Sequence, residues 1–212
     1  MCDNPPVATR AARKQGPGAR RATGETRQRV LDVAERLVQE RGFNAFSYAD
    51  IAAELGVTKA SLHYHFASKA ELGEALIIRY TERFANALGA IDARSDGAPG
   101  KLDAYLGLYL DVLRGRRMCL CGMLAAEYQT LPKRMRAAVV DFFEFNEAWL
   151  ERTLEDGHRQ STLRLGGSAK DAARMIVSAL QGAMLIARPE ADLDGFRVNA
   201  RALIASITRT DT

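Results

Sequence analysis

The segment from Phe46 to Leu72 constrains the fold more than any other part of this chain, because it predicts two short helices joined by a tight turn. Ser47 and Thr58 are suited to begin these helices, since their side-chain oxygens can accept hydrogen bonds from the free amides of a first helical turn. Gly56 lies between the helices and can adopt the positive φ that a sharp turn requires. The pattern predicts a helix-turn-helix, whose second helix has the size and polarity to enter a major groove.

Another helix is predicted to follow this motif directly. Ser68 and Glu71 are three residues apart, the spacing of a capping box in which each side chain accepts a hydrogen bond from the other residue's amide. Two helices and a turn alone are a moderately specific signal. The immediate start of a further helix makes the pattern much more specific.

The region from about residue 25 to 75 resembles the DNA-binding domain of the TetR/AcrR family of transcriptional regulators. The residues that carry this resemblance are a predicted helix over Thr26–Arg41, Gly42 and Phe43, the run from Tyr48 to Ala52, the turn Leu55-Gly56-Val57, the run from Leu62 to Phe66, Lys69 and Leu72. The chain departs from the family at His63, where a phosphate-contacting Tyr is usual. The resemblance implies an all-α fold of nine helices, with an N-terminal three-helix helix-turn-helix domain and a C-terminal helical-bundle domain for regulation and dimerisation.

The distribution of charge favours a separate N-terminal arm. The first 29 residues carry seven basic and two acidic side chains, so this stretch is more positive than the whole chain, whose net charge is +4. We predict a disordered basic arm over residues 1–24, a helix-turn-helix domain over 25–70 and an effector-binding and dimerisation domain over 71–212. A basic arm ahead of a helix-turn-helix suggests contact with DNA phosphates, and the alternative is a solvated tail that only aids solubility.

Almost the whole chain after residue 25 predicts helix, because its apolar residues recur at helical spacing. Beyond the third helix, the predicted bounds are Ser68 to about Ala90, Leu102–Leu113, Met118–Gln129, Pro132–Glu155, Ser168 to just before Pro189, and Asp192–Ile207. A loop is predicted over Arg94–Gly100, and Gly157 is expected to end the seventh helix.

Nine polar and aromatic residues of the helix-turn-helix are predicted to contact double-stranded operator DNA. They are Ser47, Tyr48, Thr58, Lys59, Ser61, His63, Tyr64, His65 and Lys69. Lys59 is the strongest candidate for a base-edge or phosphate contact, because it lies at the start of the recognition helix. The alternative for Tyr64 and His65 is that the first is half-buried and the second merely closes the helix.

The last two predicted helices carry apolar stripes that suit packing against another helix. The residues expected at a homodimer interface are Ile176, Ala179, Ala183, Leu193, Phe196, Ala200, Leu203 and Ile207, of which the last five are spaced by alternating steps of three and four. The family resemblance implies a four-helix interface between two copies. The alternative is that both stripes face the core of their own chain, and both interpretations can hold together, since a helix can bury two faces.

Aromatic residues and methionines are concentrated on the fifth to eighth predicted helices, where the family resemblance implies an effector cavity. The predicted lining residues are Tyr105, Tyr109, Met123, Glu127, Tyr128, Phe142, Phe145, Asn146, Trp149 and Met184. Glu127 and Asn146 are of special interest, since a buried polar group needs a partner that a ligand can supply. The expected effector is a small, largely apolar molecule, and the alternative is that these side chains form an ordinary core.

Cys119 and Cys121 follow the basic pair Arg116-Arg117 near the predicted start of a helix. Positive charge and helix amides both lower the pKa of a thiol, which favours redox or electrophile sensing. This segment also resembles the electrophile-sensing branch of the family. A thiol-based repressor is therefore the alternative function, and two buried apolar cysteines are the simpler interpretation. No metal site is expected, because no further Cys or His lies close by at ligand spacing.

The sequence disfavours other classes of protein. No apolar run approaches the roughly 20 residues that span a bilayer, and the basic N-terminus has no apolar signal core, so we expect a cytoplasmic protein without membrane contact. A Gly-rich phosphate loop and a paired carboxylate motif are both missing from the sequence. We therefore expect neither enzymatic activity nor a cofactor.

Overall fold

The computed structural model describes residues 17–94 and 96–209, and within these ranges the side chains of 24–94 and 96–206. These residues form nine α-helices, as predicted. Their bounds are α1 Pro17–Arg41, α2 Tyr48–Leu55, α3 Lys59–His65, α4 Lys69–Ala93, α5 Gly97–Arg114, α6 Leu120–Ala126, α7 Lys133–Arg159, α8 Ala169–Ala187 and α9 Leu193–Ile207. A 3₁₀ turn, Tyr128–Thr130, follows α6, and two-residue antiparallel strands pair Arg164–Leu165 (β1) with Thr208–Arg209 (β2). None of the helices in the described ranges is both long and apolar enough to cross a membrane.

The helix starts of the helix-turn-helix are confirmed. The Ser47 hydroxyl accepts a hydrogen bond from the amide of Ala49 at 3.2 Å, and the Asp50 carboxylate accepts one from the amide of Ser47 at 2.7 Å. Thr58 caps α3 by accepting from the amide of Ser61 at 3.2 Å. Gly56 has a φ of 65°, the left-handed conformation that the turn between α2 and α3 requires. Local signals therefore explain where these short helices begin and end.

The first three helices enclose a small apolar core with the start of α4. Phe43, Phe46, Ile51, Leu62 and Phe66 are all buried there. Burial of a side chain of this size contributes roughly 1.5–3 kcal/mol each. Only Leu62 of α3 is fully buried, so this helix rests on the core through one anchor and leaves its other side chains outside.

Helix α4 connects this small core to the remaining helices. Its 25 residues span about 37 Å at a rise of about 1.5 Å per residue. Leu72 and Leu76 are buried near its start, and Tyr80, Leu88 and Ile91 are buried further along. One continuous helix therefore runs from the helix-turn-helix into the bundle of α5 to α9.

Two predicted boundaries are wrong because helices extend further than expected. Helix α1 begins at Pro17, so residues 17–24 of the predicted disordered arm are helical, and residues 1–16 lie outside the described ranges. Helix α5 begins at Gly97, inside the predicted loop. Pro99 is tolerated there, because the first turn of a helix has amides without helical partners in any case.

The sixth and seventh helices also differ from the prediction. Helix α6 is shorter than Met118–Gln129 and continues as the 3₁₀ turn. Helix α7 runs through Gly157, which does not end it. A β-carbon at this position would lie 2.5 Å from a methyl group of Leu163 and 2.6 Å from the β-carbon of Ala98. Gly157 is therefore required for close packing.

Candidate nucleic-acid interface and ligand cavity

Helix α3 presents most of its predicted DNA-contacting side chains at the surface. Thr58, Lys59, His63 and Tyr64 are exposed, and Ser61 and His65 are half-exposed. The Tyr64 side chain is 66% exposed, which rules out the half-buried alternative. Its ring lies 5.4 Å from that of His65. This arrangement suits insertion of the helix into a groove, because base edges and phosphates are read by exposed polar side chains.

Tyr48 differs from the other predicted DNA contacts, because it is buried and its hydroxyl has an internal partner. The hydroxyl donates to the carbonyl oxygen of Phe66 at 2.9 Å, and burial raises the pKa of Tyr48 to about 12. Its ring lies 4.7 Å from the ring of His63, whose Nδ1 is 3.2 Å from the carbonyl oxygen of Ala67. A carbonyl only accepts, so this bond requires the proton on Nδ1. Tyr48 therefore holds α3 against α2.

Lys69 also has an internal role. Its Nζ donates to the carbonyl oxygen of Phe46 at 2.5 Å and lies over the rings of Phe43 and Phe46, 4.7 Å and 4.3 Å from their centroids. Partial burial lowers the pKa of this ammonium group. Lys69 therefore ties the start of α4 to the loop between α1 and α2.

A surface depression of about 400 Å³ brings five of the nine predicted residues together at the starts of α2 and α3. Its lining contains Ser47, Tyr48, Lys59, His63 and Lys69, together with Phe46 and Ala49. Two ammonium groups and the N-terminus of α2 all favour an anion here. A DNA phosphate group has the charge that this depression favours.

A second concave region, the cavity between α4 and α5, is mainly apolar and has a volume of about 160 Å³. Its lining residues are Tyr80, Arg83, Phe84, Ala87, Leu108, Tyr109, Val112, Cys119 and Met184. Two of them, Tyr109 and Met184, belong to the predicted effector set. The α4 residues were missed, although Tyr80, Phe84 and Ala87 recur at the spacing of one helix face and indicated a core stripe.

Several other predicted effector residues form a closed network behind this cavity. The hydroxyl oxygens of Tyr105 and Tyr109 are 2.9 Å apart, and Tyr105 donates to the side-chain oxygen of Asn146 at 2.7 Å. The amide nitrogen of Asn146 donates to Tyr109 at 3.2 Å. Burial raises the pKa of both tyrosines, which keeps them protonated. Asn146 therefore has protein partners for its side-chain oxygen and nitrogen and does not need a ligand to satisfy them.

Aromatic rings pack around this network. The Tyr105 ring stacks on Trp149 at 5.5 Å, and the indole nitrogen of Trp149 donates to Asp92 at 2.9 Å. Phe142 contacts both Tyr80 and Phe84, with ring centroids 5.5 Å and 5.2 Å apart. Phe142 and Trp149 thus support the cavity wall from behind.

The remaining predicted effector residues lie elsewhere. The Glu127 carboxylate accepts hydrogen bonds from the amides of Phe43 at 2.6 Å and Asn44 at 3.3 Å, which joins the end of α6 to the loop after α1. Tyr128 lies beneath the guanidinium of Arg136. Met123 lies in a separate surface groove, where its sulfur is 3.6 Å from Arg188, and Phe145 packs on the core half-buried. Sequence patterns placed all four residues on helix faces. They could not show which of these faces turns toward the cavity, because that depends on the rotation of each helix about its own axis.

Both predicted sensor cysteines are buried. The Tyr80 hydroxyl lies 3.6 Å from the sulfur of Cys119, which lines the cavity. Burial raises the pKa of the Cys121 thiol, the opposite of the predicted direction.

The predicted dimer stripe mostly faces the core of its own chain. Ile176, Phe196 and Ala200 are buried, and Leu193 and Leu203 pack half-buried against the core. Ala179 and Ala183 are also half-buried, and the side chain of Ile207 lies outside the described residues. The steps of three and four therefore describe packing of α9 within its own chain for the buried members, while the half-buried members keep a face for the predicted interface, which stays a prediction. Other apolar side chains of α8 and α9 are exposed instead: Met175, Leu185, Ile186 and Val198.

Comparisons with known proteins agree with this architecture. Residues 30–76 match the model of bacterial regulatory proteins of the tetR family, and residues 98–203 match the model of the tetracyclin repressor-like C-terminal domain. The chain is similar to the transcriptional repressor NemR of Escherichia coli K12, with 26% identity over 88% of this chain and 95% of NemR. It is also similar to the transcriptional regulator AcuR of Cereibacter sphaeroides, with 28% identity over 73% of this chain and 71% of AcuR.

Solved structures show the same similarity. A TetR-family transcriptional regulator from Agrobacterium tumefaciens superposes with a TM-score of 0.84 at 30% identity, over 88% of this chain and 99% of that one. A TetR transcriptional regulator from Legionella pneumophila superposes with a TM-score of 0.75 at 34% identity, over 86% of this chain and 97% of that one.

Proposed function

This chain belongs to the tetR family of bacterial regulatory proteins, and from that premise we propose that it is a repressor that binds a palindromic operator as a homodimer. A small, largely apolar effector enters the cavity between α4 and α5 and releases the operator. The domain division is part of the proposal, with residues 25–70 for DNA and 71–212 for effector binding and dimerisation.

One observation carries this proposal: Ser47, Lys59, His63 and Lys69 lie around one surface depression beside the exposed face of α3. In it, the depression binds a phosphate group while Lys59 and Tyr64 reach into the major groove. Basic residues ahead of α1 add affinity for phosphates, so removal of residues 1–16 should make binding less dependent on salt.

The test is to select an operator from random duplexes and then measure binding by fluorescence anisotropy. The double variant Lys59→Ala, Tyr64→Ala should lose most of its preference for this operator, since each base contact contributes about 1–3 kcal/mol. Lys170→Ala is the matched control, because this exposed lysine lies at the far end of α8. Sequence-selective binding that survives in the double variant would contradict the assignment of α3.

The homodimer rests on the exposed apolar side chains of α8 and α9. Met175, Leu185 and Ile186 on α8 and Val198 on α9 are all more than half exposed. Exposed large apolar side chains suit an interaction site, and a two-fold dimer presents the same surface twice. A second copy also supplies the second recognition helix, about one turn of DNA away from the first.

Two connections lead from the cavity to the DNA-binding helices. Helix α4 carries Tyr80, Phe84 and Ala87 on the cavity wall and begins directly after α3. The short helix α6 begins after the wall residue Cys119 and ends at Glu127, which binds the loop after α1. An effector releases DNA only if it binds one arrangement of these helices more tightly than the other. We propose a tilt of α4 that changes the separation of the two recognition helices.

Thiol-based sensing is a second candidate function, favoured by the position of Cys119 on the cavity wall. An electrophile that enters the cavity would meet its sulfur beside the Tyr80 hydroxyl. Operator release by mild oxidants or electrophiles that disappears in Cys119→Ser, but not in Cys121→Ser, would support this function. An identical response of Cys119→Ser and the original protein would exclude it.

A further inference from the structure

Among the described residues that line the cavity between α4 and α5, Arg83 carries the one charged side chain. It shares one face of α4 with Tyr80, Phe84 and Ala87, since these positions follow the helical steps of three and four. Its side chain is 52% exposed, whereas Tyr80 is buried. The guanidinium therefore lies at the mouth of the cavity, with the apolar lining below it.

The partner of Arg83 is Glu35 of α1, whose carboxylate is buried and accepts from two arginines. One oxygen of Glu35 binds Arg83, and the other accepts from Arg79 at 2.7 Å. Arg79 in addition donates to Asp32 at 2.6 Å. Glu35 therefore keeps a charged partner if Arg83 turns away, which a lone buried carboxylate would not.

The other polar atoms of the cavity wall are already engaged. The Tyr80 hydroxyl lies beside the Cys119 sulfur, and the Tyr109 hydroxyl is bound to Tyr105 and Asn146. A guanidinium carries five N–H donors, and the hydrogen bond to Glu35 comes from one nitrogen of Arg83. Arg83 is consequently the wall group best able to bind a further acceptor, and a carboxylate matches its charge and forked geometry.

We propose that the effector is a small organic acid, whose apolar body fills the cavity and whose carboxylate binds Arg83. This inference rests on the proposed function and names the chemical class of its effector. A cavity of about 150 Å³ can hold one benzene ring, so the volume of about 160 Å³ suits a single ring or a short chain. The carboxylate competes with Glu35 for Arg83 and so weakens a link between the cavity mouth and α1.

The test measures binding of benzoate and hexanoate, with benzamide and hexanamide as neutral counterparts, to the full-length protein by calorimetry without DNA. The acids should bind about tenfold more tightly than the amides, the effect of one charge-assisted hydrogen bond. Arg83→Gln should remove this preference and leave amide binding unchanged. Glu35→Gln should strengthen acid binding, because the competing carboxylate is gone. Arg159→Gln, at the end of α7, is the control for loss of an exposed arginine.

Equal affinity for acids and amides, an Arg83→Gln variant that keeps the preference, or no detectable binding of either acid would overturn the proposal. If Glu35→Gln does not fold, Arg83→Lys replaces it, since a lysine retains the charge and should retain part of the acid preference. Operator release is measured separately. Acids that bind through Arg83 without releasing DNA would leave the acid site intact but refute its role as the effector site, whereas release by neutral compounds only would refute this inference and keep the proposed function.

Discussion

The polar side chains of α3 are exposed to solvent, whereas those at the centre of the helical bundle are buried. Helix α3 keeps one apolar anchor, Leu62, and leaves His63 and Tyr64 at the surface. The bundle encloses Tyr105 and Asn146 and joins them to each other by hydrogen bonds. A site for a large partner needs exposed groups on a well-held frame, whereas a site for a small molecule needs an enclosed wall.

The two regions also differ in how far along the chain their contacts reach. Tyr48 and Phe66, which hold α3 against α2, are 18 residues apart. Tyr105 and Asn146 are 41 residues apart, and the link from Arg83 to Glu35 spans 48. The geometry of α3 thus depends on neighbouring segments, while the cavity depends on how α1, α4, α5 and α7 pack together. Substitutions in the bundle should therefore have the larger consequences.

The largest expected effect comes from Ile186→Glu, a charge on the exposed apolar face of α8. Ile186 is 77% exposed, so the change leaves the fold of one copy intact but places buried charges between two copies. We expect monomers by light scattering and loss of specific operator binding, although α3 is untouched. Ile78→Glu on α4 is the matched control, since Ile78 is also exposed. A dimeric Ile186→Glu protein would place the interface elsewhere.

The helix-turn-helix could be predicted from the sequence because its helix ends are set by residues that lie within a few positions of each other. Ser47, Thr58 and Gly56 specify the ends of α2 and α3 through contacts with their own neighbours, and all three were predicted from the sequence. The dimer stripe stays a prediction, because periodicity shows which residues share a helix face but not which neighbour that face meets. Phe196 and Ala200 meet the core of their own chain.

The cavity shows the same limit of sequence reasoning. Tyr109 and Met184 were correctly placed on its wall, whereas Glu127 binds the loop after α1. Arg83 gave no signal, because an arginine on a long helix is usually a solvated side chain. Its position beside Glu35 and the cavity depends on the packing of α1 against α4, which no local pattern encodes.

A pair of Tyr→Phe substitutions compares the two regions with the same chemical change. Tyr105→Phe leaves the buried oxygen of Asn146 without its donor and removes a partner of Tyr109, so we expect a loss of about 2–3 kcal/mol in the free energy of unfolding. Tyr48→Phe removes one hydrogen bond to a backbone carbonyl and should cost about 1 kcal/mol. Urea denaturation of both variants measures the difference. A larger loss for Tyr48→Phe would contradict the view that the bundle is the more tightly coupled region.

The smallest expected change in stability comes from replacing the serine that caps a helix, once in the helix-turn-helix and once in the bundle. Ser47 and Ser168 each accept a backbone hydrogen bond at a helix start, from Ala49 in α2 and from Asp171 in α8. Ser→Ala at either position should cost about 1 kcal/mol of stability, because each cap acts only on the first turn of its own helix.

Ser47 also lines the depression that we assign to a DNA phosphate, and Ser168 does not. Ser47→Ala should therefore weaken operator binding, while Ser168→Ala leaves it unchanged at equal stability. Equal operator affinity in the two variants would mean that Ser47 serves α2 only, and that the phosphate is held by the amides at the start of α2.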